Sequence, residues 1–322
     1  MSSDLRRLSI TGAHTMKIGF IGLGSLGEPL AMNLVTAGCD VTVTDLNKQA
    51  ANRLLEAGAK WSDDVAGTCN GAEVVITALP SPAASRIVVE GDNGVLENLT
   101  SGAIWIEMST TDFEDLQRLT DLAKTKGIDA LECPVTGGVH RAHSGLITIL
   151  VGGDEAIYDK VKPVLKIMGG EILYMGPTGH ATVVKVVTNM LAFINLVAAS
   201  EGMMLARKYG VDMDAIWKGI RHSSGNSFAH ETESKLILSG SYDVNFPIDL
   251  VLKDLGLAQD IADKTGVPLE LGSATQQIYR RAKGLFGGAA QSPEVARMIE
   301  QACGIKMRAE GYPVELTEEN SG

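Results

Sequence analysis

Lys185 is the residue of this chain whose type and setting most clearly suggest chemistry. It stands among Val183, Val184, Val186 and Val187, so an amine falls in a strongly apolar stretch. Burial disfavours the charged form of a lysine and lowers its pKa, which would let the amine exchange a proton near neutral pH. The alternative is a lysine whose stem lies along an apolar surface while its ammonium reaches water. The stretch by itself does not choose between these two interpretations.

Two polar residues follow Lys185 at helical spacing. Thr188 and Asn189 are three and four positions further along the chain. Residues at these spacings share one face of an α-helix. The sequence therefore predicts an amine, a hydroxyl and an amide on the same side of one helix.

A second set of groups, at Thr136, Gly137 and Gly138, suits a small anion. It offers one hydroxyl and two backbone N–H groups with no side chain in the way, which fits a carboxylate. An ordinary Gly-Gly turn is the alternative. His140 and Arg141 follow, either as surface charges or as added positive potential. No metal is expected at His140, because no second ligand stands at a suitable spacing.

A glycine-rich turn with the spacing of a dinucleotide site lies near the N-terminus. The apolar run from Lys17 to Ile21 predicts a buried strand, and a helical apolar pattern follows the turn. Gly22, Gly24 and Gly27 form a G-x-G-x-x-G motif. They would permit the tight turn, the approach of a pyrophosphate and close helix packing, respectively.

The intervening residues of the turn are Leu23, Ser25 and Leu26. We expect the backbone of this turn and the free N–H groups of the helix start to face the phosphates.

An acidic residue ends the next predicted strand, Val41 to Asp45, 23 positions after Gly22. A carboxylate near this position typically accepts hydrogen bonds from the ribose 2′-OH and would repel a 2′-phosphate. The pattern favours NAD over NADP, and Lys48 nearby could soften that preference. Context and spacing together favour a dinucleotide site over a simple turn.

The rest of the first half alternates between predicted strands and helices. The predicted strands cover residues 73–79, 103–108, 128–133, 146–151 and 171–175, and the predicted helices cover residues 50–57, 112–126 and 154–168. Such alternation predicts a parallel sheet with helices on both faces. Ligands of these sheets lie beyond the carboxyl ends of the strands. Three loops fall there, at residues 79–81, 108–111 and 134–138.

The stretch from His180 to about Tyr209 contains no proline and is apolar on nearly every side. It predicts one helix of roughly 40 Å, buried between domains or between subunits because it is apolar all round. Only helices are predicted after it. The expected fold is an α/β Rossmann-type dinucleotide-binding domain (16–178) followed by an all-α substrate and dimerisation domain (179–322), joined by this long buried helix. Residues 1–15 are an N-terminal extension to which no function is assigned.

Composition excludes several classes of protein. The 322 residues carry a net charge of −11 without a basic stripe, which argues against nucleic acid as a partner. No run of about 20 apolar residues free of polar groups is evident, so no membrane span is expected. The four cysteines are scattered and show no C-x-x-C spacing, and the first fifteen residues lack the apolar core of a signal peptide. A cytoplasmic protein with reduced thiols is predicted.

Four blocks of sequence together resemble the β-hydroxyacid dehydrogenases, a family that includes the 3-hydroxyisobutyrate dehydrogenases and tartronate semialdehyde reductases. The blocks are FIGLGSLGEPLAMNL, CPVTGGVHRAHSGLITILVGG, GHATVVKVVTN and FPIDLVLKDLGLA. They stand in the family's order, and the resemblance covers the chain from Met16 to about Ala290.

The resemblance implies roles for the residues introduced above. Lys185 would be the catalytic general acid/base, and Asn189 would orient the substrate or the lysine. Thr136, Gly137 and Gly138 would hold the substrate carboxylate.

Further residues are implied around the cofactor and the pocket. Leu79, Pro80, Ser109 and Thr110 would lie at the cofactor, the last two by the nicotinamide ribose, and Lys253 near the nicotinamide end. Phe246 and the loop 223–227, which includes Ser224, would close the pocket. From the residues alone, Lys253 and Asp254 could equally be a solvated helix face.

Two departures from the family's pattern stand near the expected site. Thr136 replaces the usual serine, which adds a methyl group and could narrow the pocket. Thr188 replaces a frequent asparagine. The substrate could therefore differ from that of the best-known members. If Arg141 points into the pocket, the substrate would carry a second anionic group, a carboxylate or a sulfonate.

The sequence thus predicts an oxidoreductase that transfers a hydride between NAD and a small (3-)hydroxy acid, giving the semialdehyde or keto acid. A reductase of small aldehyde acids, of the glyoxylate or succinic semialdehyde type, is the main alternative. A non-catalytic NAD-binding regulatory protein and an imine reductase are others; Lys185 argues against the imine reductase. The family resemblance also implies a homodimer or homotetramer.

Overall fold

The computed structural model describes residues 16–321, which divide into two compact units. The first unit ends at Lys185 and the second begins at Val186. The predicted N-terminal extension, residues 1–15, lies outside the described residues.

The first unit is built on one sheet. Its strands are β1 (Lys17–Ile21), β2 (Asp40–Thr44), β3 (Lys60–Trp61), β4 (Val74–Thr77), β5 (Ile104–Glu107), β6 (Asp129–Glu132), β7 (Val135–Thr136), β8 (Ile147–Gly153) and β9 (Gly169–Gly176). The strand order is β3-β2-β1-β4-β5-β6-β8-β7, and β9 pairs with β8. The order reverses direction between β1 and β4, the point where such sheets bind ligands.

Strands β1 to β6 are parallel to their neighbours, as predicted, but β8 is antiparallel to both β6 and β7. The reason lies in the connection between β6 and β8. A parallel return needs a crossover of a dozen or more residues, usually a helix that covers the sheet. The 14 residues of this connection (133–146) contain β7 and only a five-residue helix, so no helix long enough to cover the sheet carries the chain across it, and the chain turns back and pairs in the opposite direction.

Helices cover both faces of this sheet. They are α1 (Gly27–Thr36), α2 (Asn52–Glu56), α3 (Val65–Cys69), α4 (Pro82–Glu90), α5 (Val95–Asn98), α6 (Phe113–Thr125), α7 (Val139–His143) and α8 (Glu155–Met168), with a 3₁₀ turn at Lys48–Ala51. Successive strand residues serve opposite cores: Ile76 packs on the α1 and α8 side and Val75 on the α4 and α6 side. Helices α3, α4, α5 and α7 were not predicted: α3, α5 and α7 have only four or five residues, and α4 begins at Pro82, which was interpreted only as the end of the preceding strand.

The second unit is helical, as predicted. After α9 (His180–Lys208), which begins in the first unit, come α10 (Met213–Arg221), α11 (Phe228–Ser239), α12 (Ile248–Thr265), α13 (Glu270–Phe286), a 3₁₀ turn (Ser292–Val295) and α14 (Ala296–Cys303). Its core is centred on large side chains such as Phe193, Trp217 and Tyr279.

Helix α9 has the predicted length, but the chain buries only part of its surface. Leu196 and Met203 are fully buried, whereas Leu191 and Leu205 are 48% and 75% exposed. By length and composition alone, α9 is the one described helix that could cross a membrane, a test that the core helix of a soluble protein also passes. Its buried residues Phe193, Leu196, Met203 and Met204 belong to the core of the second unit, so we interpret α9 as a core helix.

A partly buried acid in the second unit makes its stability depend on pH. The Glu233 carboxylate accepts one hydrogen bond, from Ser292 Oγ at 2.9 Å, and burial raises its pKa to about 7. An unfolded chain releases this proton near pH 4.3. The folded state keeps it to a higher pH, so this group lowers the stability progressively as pH rises from about 4 to about 7.

We therefore predict that Glu233→Gln stabilises the protein by about 1–3 kcal/mol at pH 8, because it removes a charge that is costly to bury. The gain should shrink towards zero near pH 4. Thermal unfolding at both pH values measures it, with the exposed Glu201→Gln as the control. An equal gain at both pH values would contradict ionisation as the cause.

Candidate active site

The glycine-rich turn joins β1 to α1 with the tight geometry that its sequence predicts. The Gly22 N–H donates to the Thr44 carbonyl at 3.0 Å, and Gly22 has a φ of +94°. A Cβ on Gly22 would lie 2.4 Å from the Ala78 carbonyl oxygen, and one on Gly27 would lie 2.0 Å from the Gly22 carbonyl oxygen. Both positions therefore require glycine.

Gly24 is different, because a Cβ there would meet no atom of the protein within 4 Å. The space in front of its exposed backbone is open, and it lies just before the N-terminus of α1. Ser25 is exposed as well, whereas Leu23 is buried and Leu26 packs against the core. An open turn at the positive end of a helix fits the pyrophosphate of a dinucleotide.

Asp45 lies directly after β2 and holds this turn. Its Oδ2 accepts the Leu23 N–H at 2.6 Å, and its Oδ1 accepts the Asn47 N–H at 2.8 Å. Carboxylate oxygens accept more than one hydrogen bond each, so Asp45 can still receive a ribose hydroxyl. The Lys48 ammonium lies 3.8 Å from a carboxylate oxygen of Asp63, an ion pair that competes with any attraction of Lys48 for a 2′-phosphate.

The ends of β4 and β5 are tied together by Ser109. The Leu79 N–H donates to Ser109 Oγ at 2.7 Å, and the Ser109 N–H donates to Glu107 Oε1 at 2.9 Å. Pro80 is exposed and Thr110 is half-buried on the same two loops. These hydrogen bonds fix the two loops that were predicted to meet the cofactor.

Sequence reasoning missed Glu107, which is 1% exposed at the end of β5. Burial raises its pKa, while the hydrogen bond from the Ser109 N–H opposes that rise. The signal was present as a single acid at the end of the apolar strand AIWIEM.

The predicted carboxylate clamp, residues 136–138, follows β7. Gly137 and Gly138 have φ values of +119° and +92°, a conformation that side chains rarely adopt. A Cβ on Gly137 would lie 3.1 Å from the Arg141 Cδ, and one on Gly138 would lie 3.0 Å from the His140 ring. The structure thus brings both His140 and Arg141 against the two glycines. Thr136 is half-buried and pairs with Thr148 of β8.

Lys185 lies in the second turn of α9 and is 7% exposed. Thr188 and Asn189 occupy the positions three and four residues further along this helix, as predicted. Asn189 is 8% exposed. A buried lysine with a buried amide one turn further on is the arrangement expected of a proton-transferring group.

Asn189 is held by a residue of α12. Its Nδ2 donates to Asp254 Oδ2 at 2.6 Å, and the Lys253 Nζ lies 3.1 Å from Asp254 Oδ1. Asp254 is only 1% exposed, so the interpretation of this pair as a solvated helix face is wrong for Asp254. The helical period contained the signal, because Asp254 stands three residues after the buried Val251 and four before the buried Ala258.

The remaining predicted pocket residues have different settings. Phe246 is partly buried, and its ring centroid lies 5.7 Å from that of Phe193. Ser224 is exposed in the loop between α10 and α11. Their predicted part in closing a pocket stays a prediction.

Two family models match this chain. Residues 17–176 match the family model of the NAD-binding domain of 6-phosphogluconate dehydrogenase. Residues 179–299 match that of the NAD-binding region of NADP-dependent 3-hydroxyisobutyrate dehydrogenase.

Similar whole proteins are also known. The 2-(hydroxymethyl)glutarate dehydrogenase of Eubacterium barkeri is 33% identical over 91% of this chain and 98% of its own length. The mitochondrial 3-hydroxyisobutyrate dehydrogenase of Rattus norvegicus is 34% identical over 83% of this chain and 82% of its own length. The structure of Mycobacterium tuberculosis 3-hydroxyisobutyrate dehydrogenase with L-serine is 29% identical, with a TM-score of 0.78 over 88% of this chain and 99% of that chain.

The turn, the sheet and these similarities define an NAD(P)-binding dehydrogenase of the hydroxy acid type. More specifically, the chain belongs to the β-hydroxyacid dehydrogenase family.

The setting of Asp45 predicts the choice of cofactor. The carboxylate should repel a 2′-phosphate, so the protein should bind NADH more tightly than NADPH. Asp45→Asn keeps an acceptor for the Leu23 N–H and removes the charge. It should lower the ratio of the Kd for NADPH to the Kd for NADH by about 10- to 100-fold, which corresponds to the free energy of a hydrogen bond to a charged group. Fluorescence titration measures both constants, with the exposed Asp92→Asn as the control. A wild-type Kd lower for NADPH than for NADH would refute the prediction.

Proposed function

We propose that this enzyme transfers a hydride between NAD and a small hydroxy acid with its hydroxyl at C3, giving the semialdehyde or keto acid, with Lys185 as the general acid/base. The observation that carries the proposal is the buried Lys185 of α9, one turn before a buried Asn189, in an NAD(P)-binding hydroxy acid dehydrogenase. In this proposal residues 16–178 bind the dinucleotide, and residues 179–322 supply substrate-binding and dimerisation surfaces.

The residues that fit the cofactor are those of the glycine-rich turn and of the two loops after β4 and β5. The turn from Gly22 to Gly27 would hold the pyrophosphate and Asp45 the adenosine ribose. Leu79, Pro80, Ser109 and Thr110 would lie along the nicotinamide ribose, and Lys253 near the nicotinamide. When bound, the nicotinamide accepts or donates the hydride.

Lys185 handles the proton that accompanies this transfer. In oxidation its neutral amine accepts the hydroxyl proton while the C–H bond gives up its electron pair as hydride, and the C–O bond becomes a carbonyl. In reduction the ammonium returns the proton to the oxygen. A positioned acid/base group of this kind typically contributes about 10²–10⁴-fold to the rate.

Asn189 supplies orientation. Because its Nδ2 donates to the Asp254 carboxylate, the orientation of the amide is fixed, with its Oδ1 as the acceptor end. That oxygen is suited to accept a hydrogen bond from the lysine ammonium or from the substrate hydroxyl. Asp254 thereby acts through Asn189 as a positioning residue.

The clamp at residues 136–138 would hold the substrate carboxylate through the Thr136 hydroxyl and the N–H groups of Gly137 and Gly138. A bound carboxylate fixes the distance from the reacting carbon to both the lysine and the cofactor. The expected contribution is catalysis by positioning.

Arg141 extends the substrate class. Its guanidinium lies beside Gly137: a Cβ on Gly137 would be 3.9 Å from Arg141 Nη1. Within residues 16–321, Arg141 forms no salt bridge. The bacterial relative is named for a dicarboxylate, 2-(hydroxymethyl)glutarate. We infer that the preferred substrate carries a second anionic group, a carboxylate or a sulfonate, that Arg141 binds.

We also propose a homodimer or homotetramer in the cytoplasm. The exposed apolar side chains Val187, Leu191 and Leu205 on α9 support a contact between subunits. All four cysteines are free, which fits a reducing compartment.

Lys185→Ala should lower kcat/KM by about 10²–10⁴-fold because it removes the proposed proton-transfer group. Its melting temperature and Kd for NADH should stay close to wild type. Reduced-nicotinamide absorbance, with NAD and a panel of 2-, 3- and 4-hydroxy acids, measures turnover. The exposed Lys208→Ala on the same helix is the control. A Lys185→Ala variant that turns over at the wild-type rate would contradict the assignment of Lys185 as the general acid/base.

Arg141→Met should raise KM for hydroxy dicarboxylates or sulfonates by about 10- to 100-fold, since a charged hydrogen bond is lost. KM for the matching monocarboxylates should change little. Steady-state assays on paired substrates of equal length measure both values, with exposed Arg281→Met as the control. An unchanged KM for every dianion would contradict the role of Arg141.

A further inference from the structure

Glu132, the last residue of β6, binds the start of the helix that carries Lys185. Its Oε1 accepts the N–H groups of Gly179 and Ala181 at 2.5 and 3.0 Å. Its Oε2 accepts the Thr182 N–H at 2.9 Å and the Thr182 hydroxyl at 2.5 Å. One side chain, 2% exposed, thus satisfies three backbone donors at the N-terminus of α9.

This side chain stands between two parts of the proposed site. Glu132 precedes the clamp residue Thr136 by four positions, with Pro134 between them. Ala181 and Thr182 precede Lys185 by four and three positions, so they lie directly beneath it on the same face of α9. All of these residues belong to the first unit.

The surroundings hold the carboxylate in place. Gly152 is paired with Glu132 across β6 and β8, and a Cβ on it would lie 2.1 Å from Glu132 Oε1. At the helix end, Gly179 has a φ of +96°, and a Cβ there would lie 2.1 Å from the Phe113 ring. Neither the acid nor the helix start has room to shift without displacing backbone or a packed ring.

A cap for α9 did not require this arrangement. A serine, threonine or aspartate at the helix start satisfies the same donors locally. Burying a carboxylate costs free energy: burial raises the pKa of Glu132, and the donated hydrogen bonds only oppose that rise. A second buried acid, Glu107, is its register partner on β5. What the long side chain adds is a fixed connection between β6 and α9.

We propose that Glu132 is a positioning residue that sets the separation between the carboxylate clamp (136–138) and the Nζ of Lys185. This inference rests on the proposed function of Lys185 and the clamp. A substrate held by its carboxylate presents its hydroxyl to the amine only at one separation. A misplacement of about 1 Å can cost about 10²-fold in rate.

Glu132→Gln tests the proposal with little change of shape. The amide oxygen can still accept from Gly179 and Ala181, but the amide nitrogen cannot accept the Thr182 N–H. We expect kcat to fall by about 10- to 100-fold, with KM for the hydroxy acid and Kd for NADH within about threefold of wild type. The deuterium isotope effect at the carbinol carbon should rise, because hydride transfer becomes rate-limiting.

Two substitutions of Thr182 test whether the loss of kcat follows the contact between this residue and Glu132. Thr182→Val removes only the hydroxyl contact with Glu132 and should give a smaller loss of kcat. Thr182→Ser restores the hydroxyl and should recover most of the wild-type rate. If Glu132 acted only on stability, these variants would lower the melting temperature and leave the isotope effect unchanged, and that result would overturn the proposal.

A double-mutant cycle asks whether Glu132 acts through the lysine. In a Lys185→Ala background, Glu132→Gln should cause little further loss, because there is no amine left to position. Additive losses would overturn the proposal. A wild-type kcat in Glu132→Gln, with Lys185→Ala inactive, would overturn it and leave the proposed function intact. Full activity in Lys185→Ala would overturn both.

Discussion

A buried carboxylate is stable only where donors or cations surround it, and this requirement organises the reactive parts of the protein. Glu107 fixes the loop after β5, and Glu132 fixes the start of α9. Asp254 fixes the amide of Asn189 and pairs with Lys253. Each acid lies next to a predicted site residue and has no chemistry assigned to it. Each therefore serves to hold another group in one orientation.

The sheet explains how distant parts of the chain come to one edge. In parallel strands the carboxyl ends point the same way, so the residues after β1, β4 and β5 meet there although they are far apart in sequence. The register places Glu107 and Glu132 side by side on β5 and β6. The antiparallel β8 closes this arrangement, because Gly152 on it leaves room for the Glu132 carboxylate.

Much of this architecture could be predicted from local patterns. The glycine motif and the acid at position 45 are local in sequence, and both lie where the strand-turn-helix order requires. The direction of β8 could not be predicted, because it depends on whether the connection from β6 forms a helix that covers the sheet. The burial of α9 on one side only could not be predicted either. The apolar pattern of a helix does not show whether its second face packs against the same chain or against another chain.

The supporting acids were missed for a different reason. A lone acid in an apolar strand has no visible partner in the sequence, because its donors come from residues up to 50 positions away, as for Glu132 and Thr182. Asp254 was closer to being found, since the helical period places it on the buried face. What the sequence did not show was that Asn189, 65 residues earlier, is its partner.

The double use of Asp45 has a consequence for how cofactor preference can change over evolutionary time. One carboxylate is proposed to bind the adenosine ribose and also accepts the Leu23 N–H of the glycine-rich turn. A replacement that removed every acceptor, such as alanine, would leave that N–H without its partner and loosen the phosphate turn itself. Drift towards NADP is therefore confined to replacements that keep an acceptor at position 45. Single-step replacements by glycine, alanine or valine would therefore lose affinity for both nucleotides, whereas asparagine and glutamate keep an acceptor for the turn.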